Sequence, residues 1–350
     1  MSTCGTAAKY DGKIGIRISA IFVIFAGSLL GAWFPVFASR HKGAGLPSWA
    51  HFVAKYFGSG VIVATAFIHL LAPASEALRD PCLTGVITEY PWVEGICLMS
   101  IFALFFVELM IMRYAKFETG HGHGHGAHLE PASHSHGQPT PDEKTIHSTE
   151  SGIALQDTGS GSSPPVEPDI ESQHRQTEHH ALPTAEPYAA QLTGVFILEF
   201  GVVFHSIFLG LTLAAAGKEF YTLYVVLSFH QTFEGIALGS RLASIPWPKS
   251  RRWTPYMLAV GYAVSTPIAL AIGLGVRETL DTGSQSGLIT NGVFDSIAAG
   301  ILIYTGLIEL MAHDFLFSEH MQCAPVRKLL GAFGTMCCGA FLMALLGKWA

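Results

Sequence analysis

Residues 18–39 read ISAIFVIFAGSLLGAWFPVFAS and contain no charged side chain. A helix needs about 20 mostly apolar residues to cross the hydrocarbon core of a bilayer, which is about 30 Å thick. Three further uncharged runs of this kind occupy residues 56–75, 253–276 and 329–347. In lipid every backbone N–H and C=O must be bonded within its own element, so uninterrupted runs of this length predict transmembrane helices rather than barrel strands.

The composition of the whole chain points the same way. Of 350 residues, 50% are hydrophobic and only 13% are charged, about half the charged fraction of a soluble domain. Four more apolar runs carry one or two ionisable groups each: residues 94–112, 188–217, 220–240 and 292–312. The predicted fold is an all-α polytopic membrane protein with eight transmembrane helices. With a net charge of −6 and no basic patch, nucleic acid is excluded as a partner.

One long segment interrupts this pattern. Residues 116–187 contain one aromatic residue, many Ser, Thr, Gly, Pro and acidic residues, and ten of the 17 histidines. Such a composition cannot bury enough apolar surface to fold, so it predicts a disordered, histidine-rich loop between helices 3 and 4. The predicted organisation is an N-terminal tail with helices 1–3 over residues 1–115, the loop, and helices 4–8 over residues 188–350.

The Lys and Arg residues near the helix ends indicate the orientation. Eleven lie on the side of the loop and seven on the opposite side, which favours a cytosolic loop and extracellular termini. Cys4 and Cys82 then share the outer side, which allows a disulfide bond between them without requiring one. Four loop histidines alternate with small residues and form either a weak, unordered zinc-binding tract or a solvated linker: His121, His123, His125 and His128.

The polar residues inside the predicted membrane helices carry the chemistry, because an ionisable group in lipid is costly and needs a reason. Residues 205–210 read HSIFLG and residues 230–235 read HQTFEG, so both have the form His-polar-x-Phe-x-Gly. His230 and Glu234, spaced i, i+4, share one helix face. Two facing helices would thus combine two imidazoles and a carboxylate, a set that suits Zn²⁺, Fe²⁺ or Mn²⁺ and, lacking cysteine, argues against Cu⁺. Alternatively, a single histidine such as His205 is only an interhelical hydrogen-bond donor.

A second set of polar residues lies in helices 2 and 7. Its members are either groups along an ion pathway or residues of the membrane interface: His69, Asp295, Glu309 and His313. Asp295 and Glu309 are fourteen residues apart, close to four helical turns, so the sequence predicts that they share roughly one face.

Together these residues resemble the ZIP (Zrt/Irt-like) family of metal transporters, and most of all the fungal plasma-membrane zinc permeases. The resemblance rests on residues 64–73 (ATAFIHLLAP), residues 92–97 (WVEGIC), the two hexapeptides and the histidine-rich loop after the third helix. It implies a 3+2+3 arrangement of helices, with the first and last three related by an inverted repeat, and alternating access. It also implies a plasma-membrane location.

The resemblance implies ligand roles as well. His205, His230 and Glu234 would be the primary metal ligands, with Ser206 and Gln231 nearby. Some prokaryotic members of the family have a carboxylate where this chain has Leu209 and an aspartate where it has Gln231. Those acidic groups hold a second metal ion, so the sequence predicts one central metal and not a binuclear centre.

The function predicted from these features is import of Zn²⁺ into the cytosol, with the metal as transported substrate and no prosthetic group. An importer that prefers iron or manganese is an alternative. An intramembrane metalloenzyme is another, although the chain lacks His-Glu-x-x-His, and a metal-sensing receptor is a third. The expected partners are the lipid bilayer and a divalent metal ion, and a homodimer is left open.

Overall fold

The described part of the chain consists of helices and the turns that join them. The computed structural model describes residues 13–41, 47–119, 188–276 and 283–349, and no strand occurs within those ranges. Short helices at Val86–Glu89, Lys249–Arg251 and Glu319–Gln322 lie between the long ones. The long helices are α1 (Ile14–Arg40), α2 (Ser48–Leu78), α3 (Trp92–Thr119), α4 (Tyr188–Ala215), α5 (Phe220–Ser244), α6 (Thr254–Gly275), α7 (Gln285–Phe317) and α8 (Val326–Leu346).

These helices confirm the predicted all-α polytopic membrane fold. Within the described ranges, seven are long and apolar enough to cross a membrane. The exception, α5, has the length but not the apolarity, because it carries His230, Gln231 and Glu234 in its centre. The expectation that residues 220–240 would be as apolar as the other runs was therefore wrong. The centre of this helix carries buried polar side chains where the other helices carry apolar ones.

Arg17, one of the seven Lys and Arg residues assigned to the outer side, is held inside the protein. It lies within α1 and its side chain is fully buried. The guanidinium donates hydrogen bonds to the carbonyl oxygens of Ala214, at 3.0 Å, and Ala216, at 2.5 Å, where α4 ends. The last carbonyls of a helix lack partners within the helix and carry partial negative charge. The guanidinium of Arg17 supplies these carbonyls with hydrogen bonds, and their partial negative charge stabilises its positive charge.

α5 lies in the middle of the helix packing. It contacts α1 most extensively, and also α2, α4 and α6. Small residues allow the close crossing with α1: a Cβ on Gly31 would come within 2.5 Å of the carbonyl oxygen of Thr232 and 3.2 Å of Gly235. Close approach through glycine is a common way for membrane helices to pack. The central polar side chains of α5 are thereby enclosed by neighbouring helices.

Two of the helices change to π-helical geometry part of the way along. The π segments are Thr65–Leu71 in α2 and Thr305–Phe317 in α7. In α2 the N–H of Ala72 bonds to the carbonyl of Phe67, five residues back, and the next residue, Pro73, has no N–H to offer. π-helical turns are rare and occur frequently at functional sites.

The two π segments also share a sequence. Residues 65–72 read TAFIHLLA and residues 305–312 read TGLIELMA, with Thr, Ile, Leu and Ala identical at equivalent positions. α2 and α7 are the middle helices of the first and last sets of three, so this match agrees with a 3+2+3 arrangement built on a repeat. It pairs His69 with Glu309. Because the turn widens after Tyr304, the regular 3.6-residue spacing that predicted a common face for Asp295 and Glu309 does not hold there.

The cysteines are described in part. Cys82 is disulfide-bonded, whereas Cys97, Cys323, Cys337 and Cys338 have free thiols. Cys4, which the sequence allows as the partner of Cys82, lies outside the described residues. The four loop histidines of the proposed tract lie outside them as well: His121, His123, His125 and His128.

Candidate metal centre

Three residues predicted as ligands come together between α4 and α5. His205 extends from α4, and His230 and Glu234 lie one turn apart on α5. One ligand atom from each of the three lies within 4.8 Å of the other two, and His230 Nε2 is 3.2 Å from Glu234 Oε1. His230 and Glu234 are completely buried, and His205 is 2% exposed. In the described residues this is the one group of three or more His, Cys, Asp or Glu side chains close enough to hold a metal ion.

The polar atoms of this group make no hydrogen bond of good geometry: both ring nitrogens of His205, both of His230 and both carboxylate oxygens of Glu234 are buried without one. Their nearest polar approaches are those of His230 Nε2 to Glu234 Oε1, at 3.2 Å, and of the Thr65 hydroxyl to the Glu234 carboxylate. Buried polar groups in proteins are almost always hydrogen-bonded, and each one left unpaired costs about 1–3 kcal/mol. Two imidazoles and a carboxylate are donors that Zn²⁺ prefers. A bound dication would satisfy the unpaired atoms and offset the buried charge of Glu234.

His69, from the π segment of α2, lies next to the same group. Its ring centroid is 4.6 Å from that of His230, nearly perpendicular to it. Its Nε2 is 2.9 Å from the carbonyl oxygen of Met343 in α8. A carbonyl can only accept, so Nε2 carries the hydrogen and Nδ1 keeps its lone pair. An outer hydrogen bond of this kind is the usual way in which a ligand histidine is oriented.

Ser206 and Gln231 are also adjacent, but the structure joins them to each other. Gln231 Nε2 donates to Ser206 Oγ at 3.3 Å, and the hydroxyl of Tyr262 lies 2.7 Å from Gln231 Oε1 and 2.6 Å from its backbone oxygen. All three side chains are buried. The amide of Gln231 is therefore held in a hydrogen-bonded set. Sequence reasoning missed Tyr262, since a tyrosine in an apolar helix carries no distinctive spacing.

A second polar group joins three helices toward the ends that precede α6 and α8. Arg241 Nη1 is 2.8 Å from Asp314 Oδ2, and its Nη2 donates to the backbone oxygen of Glu309 at 3.0 Å and lies 3.7 Å from Glu309 Oε2. Lys55 Nζ is 3.0 Å from Asp314 Oδ1. We call these four residues, Lys55, Arg241, Glu309 and Asp314, the ionic cluster. It connects α2, α5 and α7.

Glu309 is the one member of the ionic cluster that was predicted as a pathway residue. The spacing could have identified Arg241 as well. It follows Glu234 by seven residues, close to two helical turns, and so lies on the same face of α5. Of the other three predicted pathway residues, His69 lies in α2 beside the metal centre, and the remaining two lie on α7. Asp295 is half-buried, and the ring of His313 packs at 6.2 Å from that of Phe317.

Glu199 is a further buried carboxylate that sequence reasoning missed. It lies on α4, is 7% exposed, and its Oε2 has no hydrogen-bond partner. Glu199 is the one carboxylate in the apolar sequence of α4, and an isolated carboxylate in such a run could have been predicted as a buried ionisable group.

A buried His/Glu group within a bundle of long apolar helices is the kind of site expected in a polytopic membrane protein that handles a metal ion. Comparison with known proteins gives the family. The description of ZIP zinc transporters is matched over residues 14–347, and the chain belongs to that family. It is therefore an integral membrane transporter and not an enzyme.

Its curated relatives include yeast proteins of similar length. The chain is 42% identical to zinc-regulated transporter 2 of Saccharomyces cerevisiae, with 100% of this chain and 98% of the relative covered. It is 40% identical to zinc-regulated transporter 1 of Schizosaccharomyces pombe, with 99% and 89% covered. It is 39% identical to zinc-regulated transporter 1 of S. cerevisiae, with 98% and 89% covered.

Proposed function

We propose that this protein imports Zn²⁺ into the cytosol through a site formed by His205, His230 and Glu234. The observation that carries the proposal is the set of unpaired ligand atoms on these three buried side chains. Membership of a zinc transporter family supports zinc as the cargo. Nitrogen and oxygen donors also accept Fe²⁺ and Mn²⁺, so competing metals belong in the test.

The chemistry of the site follows from its donors. The ion sheds water as it exchanges hydration for imidazole nitrogen and carboxylate oxygen, and its charge compensates that of Glu234. His69 supplies a further lone pair beside His230. Both imidazoles and the carboxylate must be deprotonated to bind a metal, so protons compete with zinc and uptake is expected to fall as the pH is lowered.

One ion at a time fits the surroundings of the site. Gln231 and Ser206 are neutral and hydrogen-bonded to each other and to Tyr262, and Leu209 carries no ligand atom. No second carboxylate is available at these positions to hold another dication close by. We therefore propose a single central metal. Two zinc ions bound per chain between α4 and α5 would contradict this.

The ionic cluster supports a route for release. α1 runs from the end proposed to be extracellular to the cytosolic end, so Lys55, early in α2, and Arg241 and Asp314, late in α5 and α7, lie at the cytosolic end. Their contacts join the three helices there. We propose that they must separate before the ion leaves toward the cytosol. Alternating access requires such a closure on one side of a central site.

The remaining parts of the proposal concern location. We propose a plasma-membrane protein with extracellular termini, in which residues 116–187 form a cytosolic loop that collects or senses zinc. Deleting that loop is expected to change regulation more than intrinsic transport. A homodimer remains part of the proposal to be tested by oligomeric state in a bilayer.

Zinc flux into proteoliposomes tests the central claim. Purified protein is reconstituted around a fluorescent zinc indicator, and the initial rate of uptake is compared between the wild type and Glu234→Gln. The amide retains the shape of the side chain but removes its charge, so we expect uptake to fall at least roughly tenfold, about 1.4 kcal/mol of lost ion stabilisation. Glu219→Gln, the same change at an exposed position before α5, is the matched control.

The outcomes separate the alternatives. Unchanged uptake in Glu234→Gln would overturn the assignment of the site. Zinc binding by calorimetry with no flux in the wild type would favour a sensing receptor. Faster uptake of Fe²⁺ or Mn²⁺ than of Zn²⁺ would retain the site and change the cargo.

A further inference from the structure

Two adjoining cavities lie along the second half of α1. The first is an apolar groove of about 670 Å³ between α1, α2 and α5, and it is lined by Leu30, Phe34, Ala54 and Ile236 among others. Leu30 and Phe34 are 67% and 50% exposed in a helix that crosses the membrane, so this side of the groove faces lipid. Its volume lies within the range of about 300–1,000 Å³ that holds a small ligand.

The second cavity is basic. It has a volume of about 590 Å³ and is lined by Arg40, Lys249, Arg252, Trp247 and three other residues. Its walls contain three cations and no carboxylate. Ser39 lines both cavities, so the apolar groove and the basic pocket are neighbours that meet at this residue.

Contacts within the protein position the cations. The guanidinium of Arg40 donates to the backbone oxygen of Arg252 and lies over the ring of Tyr256, 5.4 Å from its centroid. The guanidinium of Arg252 lies 5.6 Å from the ring centroid of Trp253. Tryptophan is enriched where the hydrocarbon meets the headgroups, so the basic pocket lies at headgroup level and the groove at the level of the chains.

We propose that the two cavities bind one anionic phospholipid of the membrane. Its phosphate would accept hydrogen bonds from Arg40, Lys249 and Arg252 in the basic pocket, and an acyl chain would fill the groove. Basic pockets between transmembrane helices are known to take anionic headgroups on the cytosolic side. The charge excludes a zwitterionic lipid as the preferred ligand, and the neighbouring apolar groove favours a lipid over a free anion.

The groove also borders the helix that carries the metal ligands. Its floor includes Thr232 and Ile236 of α5. Thr232 lies about 200° around the helix from both His230 and Glu234, so it is on the opposite face. A lipid in the groove would therefore support α5 from behind the metal centre, which would make zinc uptake depend on anionic lipid. This last consequence rests on the proposed function, whereas the binding itself does not.

Binding is tested directly on the purified full chain in detergent. Native mass spectrometry measures retention of dioctanoyl phosphatidylserine, and dioctanoyl phosphatidylcholine and inorganic phosphate serve as comparison probes. The serine lipid is expected to be retained at least roughly tenfold more strongly than the choline lipid, and inorganic phosphate is expected not to displace it. Lys249→Gln combined with Arg252→Gln should weaken retention about fivefold per cation removed.

Controls distinguish the pocket from general surface charge. Arg327→Gln removes a cation at the same end of the molecule but outside both cavities, and retention should be unchanged. Ala54→Trp fills the groove and should lower retention without changing any charge. Equal retention of the two lipids, displacement by phosphate alone, or an equal loss in Arg327→Gln would each overturn the proposal. Loss of zinc flux in Glu234→Gln with unchanged lipid retention would support a lipid site that does not depend on the metal centre.

Discussion

At the scale of single residues, the central site consists of two groups with opposite needs. His205, His230 and Glu234 have buried polar atoms with no partner, whereas Gln231 and Ser206 are hydrogen-bonded. A bound cation would supply the partners that the first group lacks. The second is complete without one, and it depends on the single hydroxyl of Tyr262.

Replacing that hydroxyl tests the second group. Tyr262→Phe leaves the side-chain oxygen of Gln231 without its donor, so we expect a loss of about 1 kcal/mol in the free energy of unfolding. Zinc uptake should fall by a few-fold, because the amide is free to move toward the metal ligands. Thermal unfolding in detergent and proteoliposome uptake measure the two effects.

Tyr256→Phe is the matched control for this substitution. Its ring lies in the same helix and packs against Trp33. Removing its hydroxyl should leave both measurements close to the wild type. If Tyr262→Phe behaved like this control, the hydroxyl would have no role in positioning Gln231.

At the scale of helices, the sequence predicted much of the fold and a defined part of the site. Uncharged runs fix where helices cross lipid, and the i, i+4 spacing fixes that His230 and Glu234 share a face. Packing between helices remote in sequence could not be read in this way. The burial of Arg17 under the end of α4 depends on how two helices meet, and so does the contact of Arg241 with Asp314. The widened turn at His69 depends on local geometry that a regular period cannot reveal.

The crossing of α1 and α5 can be tested through its glycines. In Gly31→Ala the new methyl group would lie 2.5 Å from the carbonyl oxygen of Thr232 and 3.1 Å from the nitrogen of Ile236. The two helices would have to move apart, so we expect a loss of about 1–3 kcal/mol in stability, measured by thermal unfolding.

Gly334→Ala provides the comparison, since a Cβ at that position in α8 would meet no atom within 4 Å. Alanine is favoured over glycine in a helix, and this variant should be as stable as the wild type or more so. Equal destabilisation by both substitutions would mean that the close crossing is not what Gly31 provides.

At the scale of the whole molecule, the ionic cluster is where helices from different parts of the chain are held together by charge. Arg241 is 16% and Asp314 8% exposed in their side chains, so solvent screens their interaction only weakly. The ion pair between Arg241 and Asp314 can therefore stabilise the conformation in which the helices are joined, and can slow their separation.

A double-mutant cycle measures this coupling. Arg241→Gln and Asp314→Asn are made singly and together, and unfolding free energies are compared. We expect the double variant to be less destabilised than the sum of the single variants, with a coupling energy of about 1–3 kcal/mol.

The exposed pair Arg79 and Glu94 supplies the reference cycle. Its atoms are 2.9 Å apart, but its side chains are 64% and 52% exposed. Coupling there should stay below about 1 kcal/mol. A coupling between Arg241 and Asp314 as small as this reference would remove the ionic cluster from the proposed closure.

The matching π segments of α2 and α7 bear on the ancestry of the protein. Residues 65–72 and 305–312 keep the same local geometry and four identical side chains, yet one presents an imidazole and the other a carboxylate at the equivalent position. Duplication of one ancestral helix, followed by divergence of the two copies, would leave this pattern. His69 lies beside the proposed metal ligands and Glu309 beside Arg241, so under the proposed function equivalent positions of the repeat would serve ion binding in one half and closure in the other.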